Sequence, residues 1–380
     1  MNYKDLYIGI LTGTSMDSID CGIFHYNDNE YKTIAFYENN YPDDLKKRVK
    51  KNYENLKKGQ KNSVLDTEFS KLYAKYINKM LIKENISSAD VKAIGMHGQT
   101  ISHGKRNGKN YSIQIGCPDT LKKATNISVI SNFRQTDIEN GGEGAPLAPL
   151  YHNYIFQHKI RNRAIVNIGG IANISFIPKF NSKLAIKGFD VGPGNTLIDL
   201  WANEKFQIKY DKNGDIAKKN SINKKLLNLL LDDKYFLHNA NTKSTTTEYF
   251  SREWVAEKLN KLNIKNLDDG DILATLTELT AVTIFKAISK YENIDDVYIC
   301  GGGAFNKTIL DSIKEKISCH HNKNKIKPIT VESTSKININ PKSVESGLFA
   351  WLAYKRIKNN KLDYSRITGS KKVKTVGIIY

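Results

Sequence analysis

Short apolar runs ending on glycines alternate along this chain with longer stretches whose apolar residues recur at helical spacing. The first run, LYIGILTGTSMDSIDCGIF (6–24), places the polar kernel GTSMDSID between two apolar segments and predicts a strand hairpin reaching residue 26. LKKRVKKNYENLKK (45–58) reads as a lysine-rich amphipathic helix. In VLDTEFSKLYAKYINKMLIKEN, Leu65, Phe69, Leu72, Tyr76 and Met80 form the stripe of a second helix. VKAIGMHGQT reads as a short strand ending at His97, Gly98 and Gln99, and ENGGEGAPLAPL (139–150) as a glycine-dense loop.

AIVNIGGIANISFI (164–177) repeats the opening grammar of strand, glycine turn and strand, which suggests two similarly built domains. In GFDVGPGNTLIDLW, Asp190 is expected to end a strand, before a glycine–proline turn and a helix. Three helices follow, the last over DILATLTELTAVTIFKAISKY (271–291). VYICGGGAFNKTILDSIKEKI is strand, triple glycine and helix, and VESGLFAWLAYKRI is a final helix before a basic tail. Strands alternating with helices predict an α/β fold.

At 380 residues the chain can bury two domain cores. No apolar run is long enough to span a bilayer. MNYKDLYIGI enters a strand directly, without a charged-then-apolar leader, so a cytoplasmic location in a bacterium is expected. Cys21, Cys117, Cys300 and Cys319 are scattered without CxxC or zinc spacing, which suits reduced thiols. The formal charge of +19 comes from lysines spread along the chain, with arginine scarce and no aromatic interleaving. That pattern fits a solvated surface with some attraction for phosphates better than nucleic-acid binding.

Four glycine-rich turns carry the candidate chemistry: Gly13–Asp20, Asn167–Asn173, Asp190–Asn195 and Gly301–Asn306. Small residues let the backbone approach a ligand, N–H and hydroxyl groups donate to an anion, and carboxylates can hold a metal that screens it. Any one of them also reads as a structural loop closed by Asp and Ser side chains. Four after apolar strands suggest a nucleotide held between two domains. There is no G-x-x-x-x-G-K-[ST] and no G-x-G-x-x-G with a suitably spaced acid, which argues against P-loop and dinucleotide folds.

GTSMDSID, HGQT, FRQTDIENGGEGAPLAP, NIGGIAN, FDVGPGNTLID, ATLTELTA, GGGAFN and RITGS occur in an order that resembles the anhydro-N-acetylmuramic acid kinase family of the actin/hexokinase/Hsp70 ATPase superfamily. The resemblance implies two actin-like (ribonuclease H-like) domains, each a mixed sheet flanked by helices, with an interdomain cleft. Residues 1–134 with 356–380 would form the first and 135–355 the second. It implies ATP- and Mg²⁺-dependent phosphorylation of O6 of 1,6-anhydro-N-acetylmuramic acid with hydrolytic opening of the anhydro ring, in cell-wall recycling, and a homodimer.

By the same resemblance, Gly13, Thr14, Ser15, Met16, Asp17, Ser18, Ile19 and Asp20 form the first phosphate loop, with Asp17 the metal candidate. Asn167, Gly169, Gly170 and Asn173 form the second loop, and Gly301, Gly302, Gly303 and Asn306 the nucleoside-side turn. Asp190 is the catalytic base, although taken alone it also reads as a helix N-cap. Gly192, Gly194, Asn195, His97, Gln99, Arg134 and Glu345 are the sugar candidates, Arg134 for the lactyl carboxylate. Against these stand a satisfied core histidine at 97, a salt bridge at 134 and helix-dipole stabilisation at 345. Thr242–Thr247 reads only as a loop.

Ser18, Asn132, Glu143, Thr246 and Lys342 depart from the residues usual in the family, which have glycine, aspartate, glutamine, glycine and aspartate there. Asn132 and Lys342 shift the local charge positively. Two other readings stay open at this level: a kinase of another sugar acting by direct hydroxyl attack, and a nucleotide-binding homologue that has lost turnover.

Overall fold

The computed structural model describes residues 5–13, 16–27, 30–237, 245, 248–262, 267–291, 293–324 and 327–380. It divides into two units, one running up to Tyr151 and resuming over Lys342–Tyr380, the other His152–Pro341.

The first unit is built on β1 (Leu6–Thr12), β2 (Ser18–Tyr26), β3 (Tyr31–Asn40), β4 (Val91–Arg106), β5 (Lys109–Ile115) and β6 (Val129–Ser131). β1, β2 and β3 form an antiparallel meander, while β4 lies parallel to β1 and β6 parallel to β4. β5 returns antiparallel along β4, and β12 (Ile378–Ile379) closes the edge beside β6. β1 is buried along its whole length, as its unbroken apolar run requires of a strand covered on both faces.

The second unit repeats the plan. β7 (Arg163–Ile168), β8 (Ile171–Ile177) and β9 (Lys187–Pro193) are an antiparallel meander, β10 (Asp296–Cys300) is parallel to β7, and β11 (Thr330–Ser333) parallel to β10. Written outward from the meander, the first sheet runs β3, β2, β1, β4, β6 and the second β9, β8, β7, β10, β11, the same plan once β5, a side strand on β4, is set aside. The recurrence of strand, glycine turn and strand in the sequence is the visible trace of that repeat.

The helix Ser63–Lys83 covers one face of the first sheet with Leu65, Phe69 and Met80 buried and Leu72 and Tyr76 packed beside them, the stripe expected from the sequence. Asn62 caps it by accepting the Leu65 N–H at 3.1 Å. The lysine-rich stretch makes two helices, Asp43–Lys51 and Tyr53–Lys57, with a break at Asn52.

Helix Ser343–Ile357 crosses β1 and β4 almost backbone to backbone. A Cβ on Gly9 would stand 1.7 Å from the Ser346 carbonyl oxygen, and one on Gly95 1.9 Å from that of Phe349. This contact puts the helix in the first unit, where the sequence division had placed it in the second. Residues 135–151 also stay with the first unit. Asp137 accepts from the Thr368 hydroxyl at 2.8 Å, the Lys371 N–H donates to Asn140, and Tyr364 donates to the Leu147 carbonyl. The boundaries therefore fall after 151 and after 341, not after 134 and 355.

In the second unit the helix Asp269–Ile288 is buried nearly all round, since it packs under the sheet and against neighbouring helices. Among the described residues no helix is long and apolar enough to cross a membrane.

Candidate functional site

The predicted site residues fall into two clusters, one in each unit. In the second unit three glycine turns meet. The Gly194 N–H donates to the Gly170 carbonyl at 2.8 Å, the Asn195 N–H to Gly169 at 2.8 Å, and the Thr196 N–H to Gly170 at 3.2 Å. The approach is close enough that a Cβ on Gly194 would lie 2.3 Å from the Gly169 oxygen. Gly301 enters from β10 with φ +79°, and its Cβ would lie 2.3 Å from Asn167 Oδ1. Asn195 ties the third turn in, donating to the Ile168 carbonyl at 3.2 Å and lying beside Gly303.

Two glycines of this cluster would accept a Cβ without a clash. A Cβ on Gly169 or Gly302 would find its nearest neighbour 3.6 Å away. The turns follow the carboxyl ends of β7 and β10, where open α/β sheets bind ligands. Such a cradle of exposed peptide groups fits a nucleotide. Asn306 is differently placed: its side-chain oxygen accepts the Ile309 N–H at 3.1 Å and caps the following helix.

Asp190 lies inside β9, not at its end, because the strand continues to Pro193. Asn167, Asn173 and Asp190 are register partners across β7, β8 and β9, so they stand in one row. A register shift between Ala172 and Asn173 marks a bulge beside Asp190, a device that re-aims side chains. Asp190 Oδ2 accepts the Thr245 N–H at 3.0 Å, and its carbonyl accepts the Tyr235 hydroxyl at 2.8 Å. Asp190 is thus not a helix cap. Burial and the nearby Asp190 charge push the Tyr235 phenol well up. The packing of Gly192 against Phe236 holds the same strand from the other side.

Tyr235 was not among the sequence candidates, and neither was Thr280. The Thr280 hydroxyl is within hydrogen-bond distance of the Pro193 and Gly194 carbonyls, at 3.1 and 2.9 Å, and so fixes the Gly-Pro-Gly turn from the ATLTELTA helix. Thr280 is one of four buried threonines in that helix, so the sequence pattern did not single it out. Of the loop expected over Thr242–Thr247, residues 242–244, Thr246 and Thr247 lie outside the described residues.

In the first unit Gly13 follows β1, exposed, and its carbonyl accepts the Met16 N–H at 3.1 Å, with Met16 at φ +55°. Thr14 and Ser15 lie outside the described residues. Asp17 is half exposed and 3.5 Å from Lys46. Ile19 is fully buried, a core residue rather than a ligand contact. Gln99 is fully buried and donates to the Gly13 carbonyl at 3.2 Å and to Thr100 at 2.9 Å, so it braces the turn. It and His97 lie within the long β4, not on a turn after a short strand.

Ser18 donates to Asp20 at 2.9 Å, and Asp20 is the cross-strand partner of Glu38. Burial, then the charges of Glu345 and Glu38, push the Asp20 carboxyl up to about 7, against the bond from Ser18 and the charge of Lys342. Glu345 is exposed in the first turn of its helix, as expected. Arg134 donates to His97 and to the Gly144 carbonyl. Among the described residues no three His, Cys, Asp or Glu side chains are grouped to hold a metal ion. A nucleotide-borne Mg²⁺ needs only one or two carboxylates, since phosphate oxygens and water complete its shell. Asp17 and Asp20 are the acidic groups of the first turn that fit such a role.

Two units that repeat one strand order, each opening glycine turns at strand ends, define the actin-like class of α/β fold. Within it, the chain belongs to the anhydro-N-acetylmuramic acid kinase family, whose model matches residues 5–380. A relative named anhydro-N-acetylmuramic acid kinase from Coxiella burnetii (strain Dugway 5J108-111) is 37% identical over 99% of this chain and 98% of its own. One of the same name from Hahella chejuensis (strain KCTC 2396) is 37% identical over the whole of both chains. Among solved structures, component A of (R)-2-hydroxyglutaryl-CoA dehydratase from Acidaminococcus fermentans is similar at a TM-score of 0.46 and 13% identity, covering 91% of this chain and 96% of that one.

Proposed function

We propose that the chain transfers the γ-phosphoryl group of ATP to O6 of 1,6-anhydro-N-acetylmuramic acid while water opens the anhydro ring, giving N-acetylmuramic acid 6-phosphate. The observation that carries this reading is the placement of Asp190 in one row with Asn167 and Asn173, above three interlocked glycine turns, in a chain matched end to end by the kinase family.

The chemistry assigns the parts. Asp190 accepts a proton from the water that attacks the anomeric carbon. The C1–O6 bond breaks, and O6 takes the phosphoryl group. The Thr245 N–H donates to Oδ2 and so orients the carboxylate that serves as base. The turns at Gly169–Gly170 and Gly301–Gly303 hold the nucleotide through backbone donors, and the Gly13–Asp20 turn holds phosphates. Asp17 or Asp20 would hold a nucleotide-borne Mg²⁺, which would supply screening of phosphate charge. Arg134, a planar donor, pairs with the lactyl carboxylate.

ADP release measured with 1,6-anhydro-N-acetylmuramic acid, N-acetylmuramic acid and N-acetylglucosamine tests the reading. Turnover is expected with the anhydro sugar, with label from ¹⁸O-water appearing at the anomeric carbon of the product. Release with another sugar only, or product without label, would replace hydrolytic opening by direct hydroxyl attack. ATP binding without release would make the chain a nucleotide-binding homologue.

A further inference from the structure

Nε and Nη1 of Arg134 are both held by its own unit. Its Nε donates to His97 Nε2 at 2.9 Å, and Nη1 donates to the Gly144 carbonyl at 3.0 Å. That carbonyl is itself anchored, because the Gly144 N–H donates to Asp137 Oδ2 at 2.8 Å and Asp137 Oδ1 accepts the Thr368 hydroxyl at 2.8 Å. The His97 ring is buried and stacked on Phe349, with centroids 4.3 Å apart and planes 29° apart, so it cannot swing away.

A guanidinium has donors and no acceptor, so the bond to Arg134 requires Nε2 of His97 to be unprotonated, with the proton on Nδ1. Burial first and the Arg134 charge second hold His97 well below the ordinary histidine range, with His103 acting the same way and a backbone bond at Gly98 opposing them. The imidazole is therefore a neutral acceptor at physiological pH. With Nε and Nη1 both tied, the guanidinium plane is fixed, and a planar fork fixed in one orientation reads a planar carboxylate.

We propose that His97 is a positioning residue that sets Arg134 to select sugars carrying a carboxylate over otherwise equal sugars lacking that charge. This rests on the proposed reading of the substrate as a muramic sugar. The sequence expectation placed His97 on the sugar; here it acts through Arg134.

The test measures the affinity of the full chain, with nucleotide present, for 1,6-anhydro-N-acetylmuramic acid and for its lactyl methyl ester, whose ratio reports carboxylate selection. Wild type should favour the acid. His97→Ala should shrink the ratio by roughly tenfold, mainly through weaker binding of the acid, and His97→Gln, which restores an acceptor, should recover most of it. Equal losses for acid and ester, or an unaltered ratio in His97→Ala, would overturn the proposal. Should His97→Ala fail to fold, the ¹⁵N spectrum of wild-type His97 decides: an Nδ1-protonated tautomer is required, and an Nε2-protonated or charged ring overturns it. A wild type that binds neither sugar defeats the substrate reading itself. One that binds both equally leaves that reading standing and removes carboxylate selection.

Discussion

The ammonium of Lys342 lies 2.7 Å from Oε2 and 2.9 Å from Oε1 of Glu38, a forked contact between positions 304 apart in the chain. Glu38 is the cross-strand neighbour of Asp20, so Lys342 brings a positive charge to a corner holding Asp20, Glu38 and Glu345. The positive charge at 342 meets its partner on β3.

This corner predicts a pH dependence of stability. The folded Asp20 carboxyl, pushed up to about 7, holds its proton more tightly than the same group in the unfolded chain, near about 3.9. The folded state therefore binds more protons between those values, and stability falls as pH rises through that window, levelling off above about 7. Lys342→Met removes the charge that opposes the shift, so the decline should extend to higher pH. Asp20→Asn should flatten it and gain on wild type most clearly above pH 7. Denaturant unfolding from about pH 4 to about pH 9 checks both. An Asp20→Asn protein that keeps the wild-type profile would place the titration elsewhere.

Gly9→Ala tests the backbone packing of the helix Ser343–Ile357. The new Cβ would meet the Ser346 oxygen at 1.7 Å, far inside contact distance, and both partners are main chain. The helix must move off β1, carrying Ser346 and Gly347 with it. A loss of about 3 kcal/mol, or failure to fold, is expected in equilibrium unfolding. Gly369→Ala is the comparison for loss of a glycine without a clash, having nothing within 4 Å of its Cβ, although its φ of +75° adds local strain.

How much of this was legible in the sequence follows from what each contact needs. The stripe Leu65–Met80 and the repeated strand–turn–strand grammar are local patterns, and both appear in the fold. The strand Tyr31–Asn40 was missed because its residues are mostly half-buried and its polar positions break the alternation. β4 was cut short at Gln99 since Gly98 and the polar residues after it read as a turn, while pairing with β5 carries the strand on to Arg106. The helix Ser343–Ile357 was assigned to the wrong side of the domain boundary. Its allegiance depends on Gly9 and Gly95, more than three hundred and two hundred residues away, and no local pattern reveals it. The glycine turns were legible as turns, and their interlocking through Gly169, Gly170 and Gly194 was not. The pairing of Arg134 with His97 was equally hidden, since both had been assigned to the sugar separately.

Asp190→Asn tests the base. The amide keeps the shape and can keep its bond to Thr245 but cannot accept a proton from water. Turnover should fall by about a thousandfold, with nucleotide affinity within about threefold of wild type. Retention of most of the activity would remove Asp190 from the mechanism. Tyr235→Phe separates base from scaffold: it removes a bond to the Asp190 carbonyl, not to the carboxylate, so it should cost about 1 kcal/mol of stability and much less rate.

Thr280 tests whether the turn after β9 has to be held for the site to work. Its single hydroxyl proton is shared between the carbonyls of Pro193 and Gly194, and Gly194 in turn bonds Gly170, so one side chain in the core supports two glycine turns. Valine has the same shape and no donor. Thr280→Val should therefore remove the one donor shared by these two carbonyls and cost about 1–2 kcal/mol in unfolding. If the turns position nucleotide and sugar, the rate should fall by more than the stability loss explains, and Thr280→Ser should restore both. A Thr280→Val protein that is destabilised but turns over at the wild-type rate well below its melting temperature would show that the Gly-Pro-Gly turn keeps its geometry without the hydroxyl. Positioning would then rest with the backbone bonds from Gly194, Asn195 and Thr196 to Gly169 and Gly170.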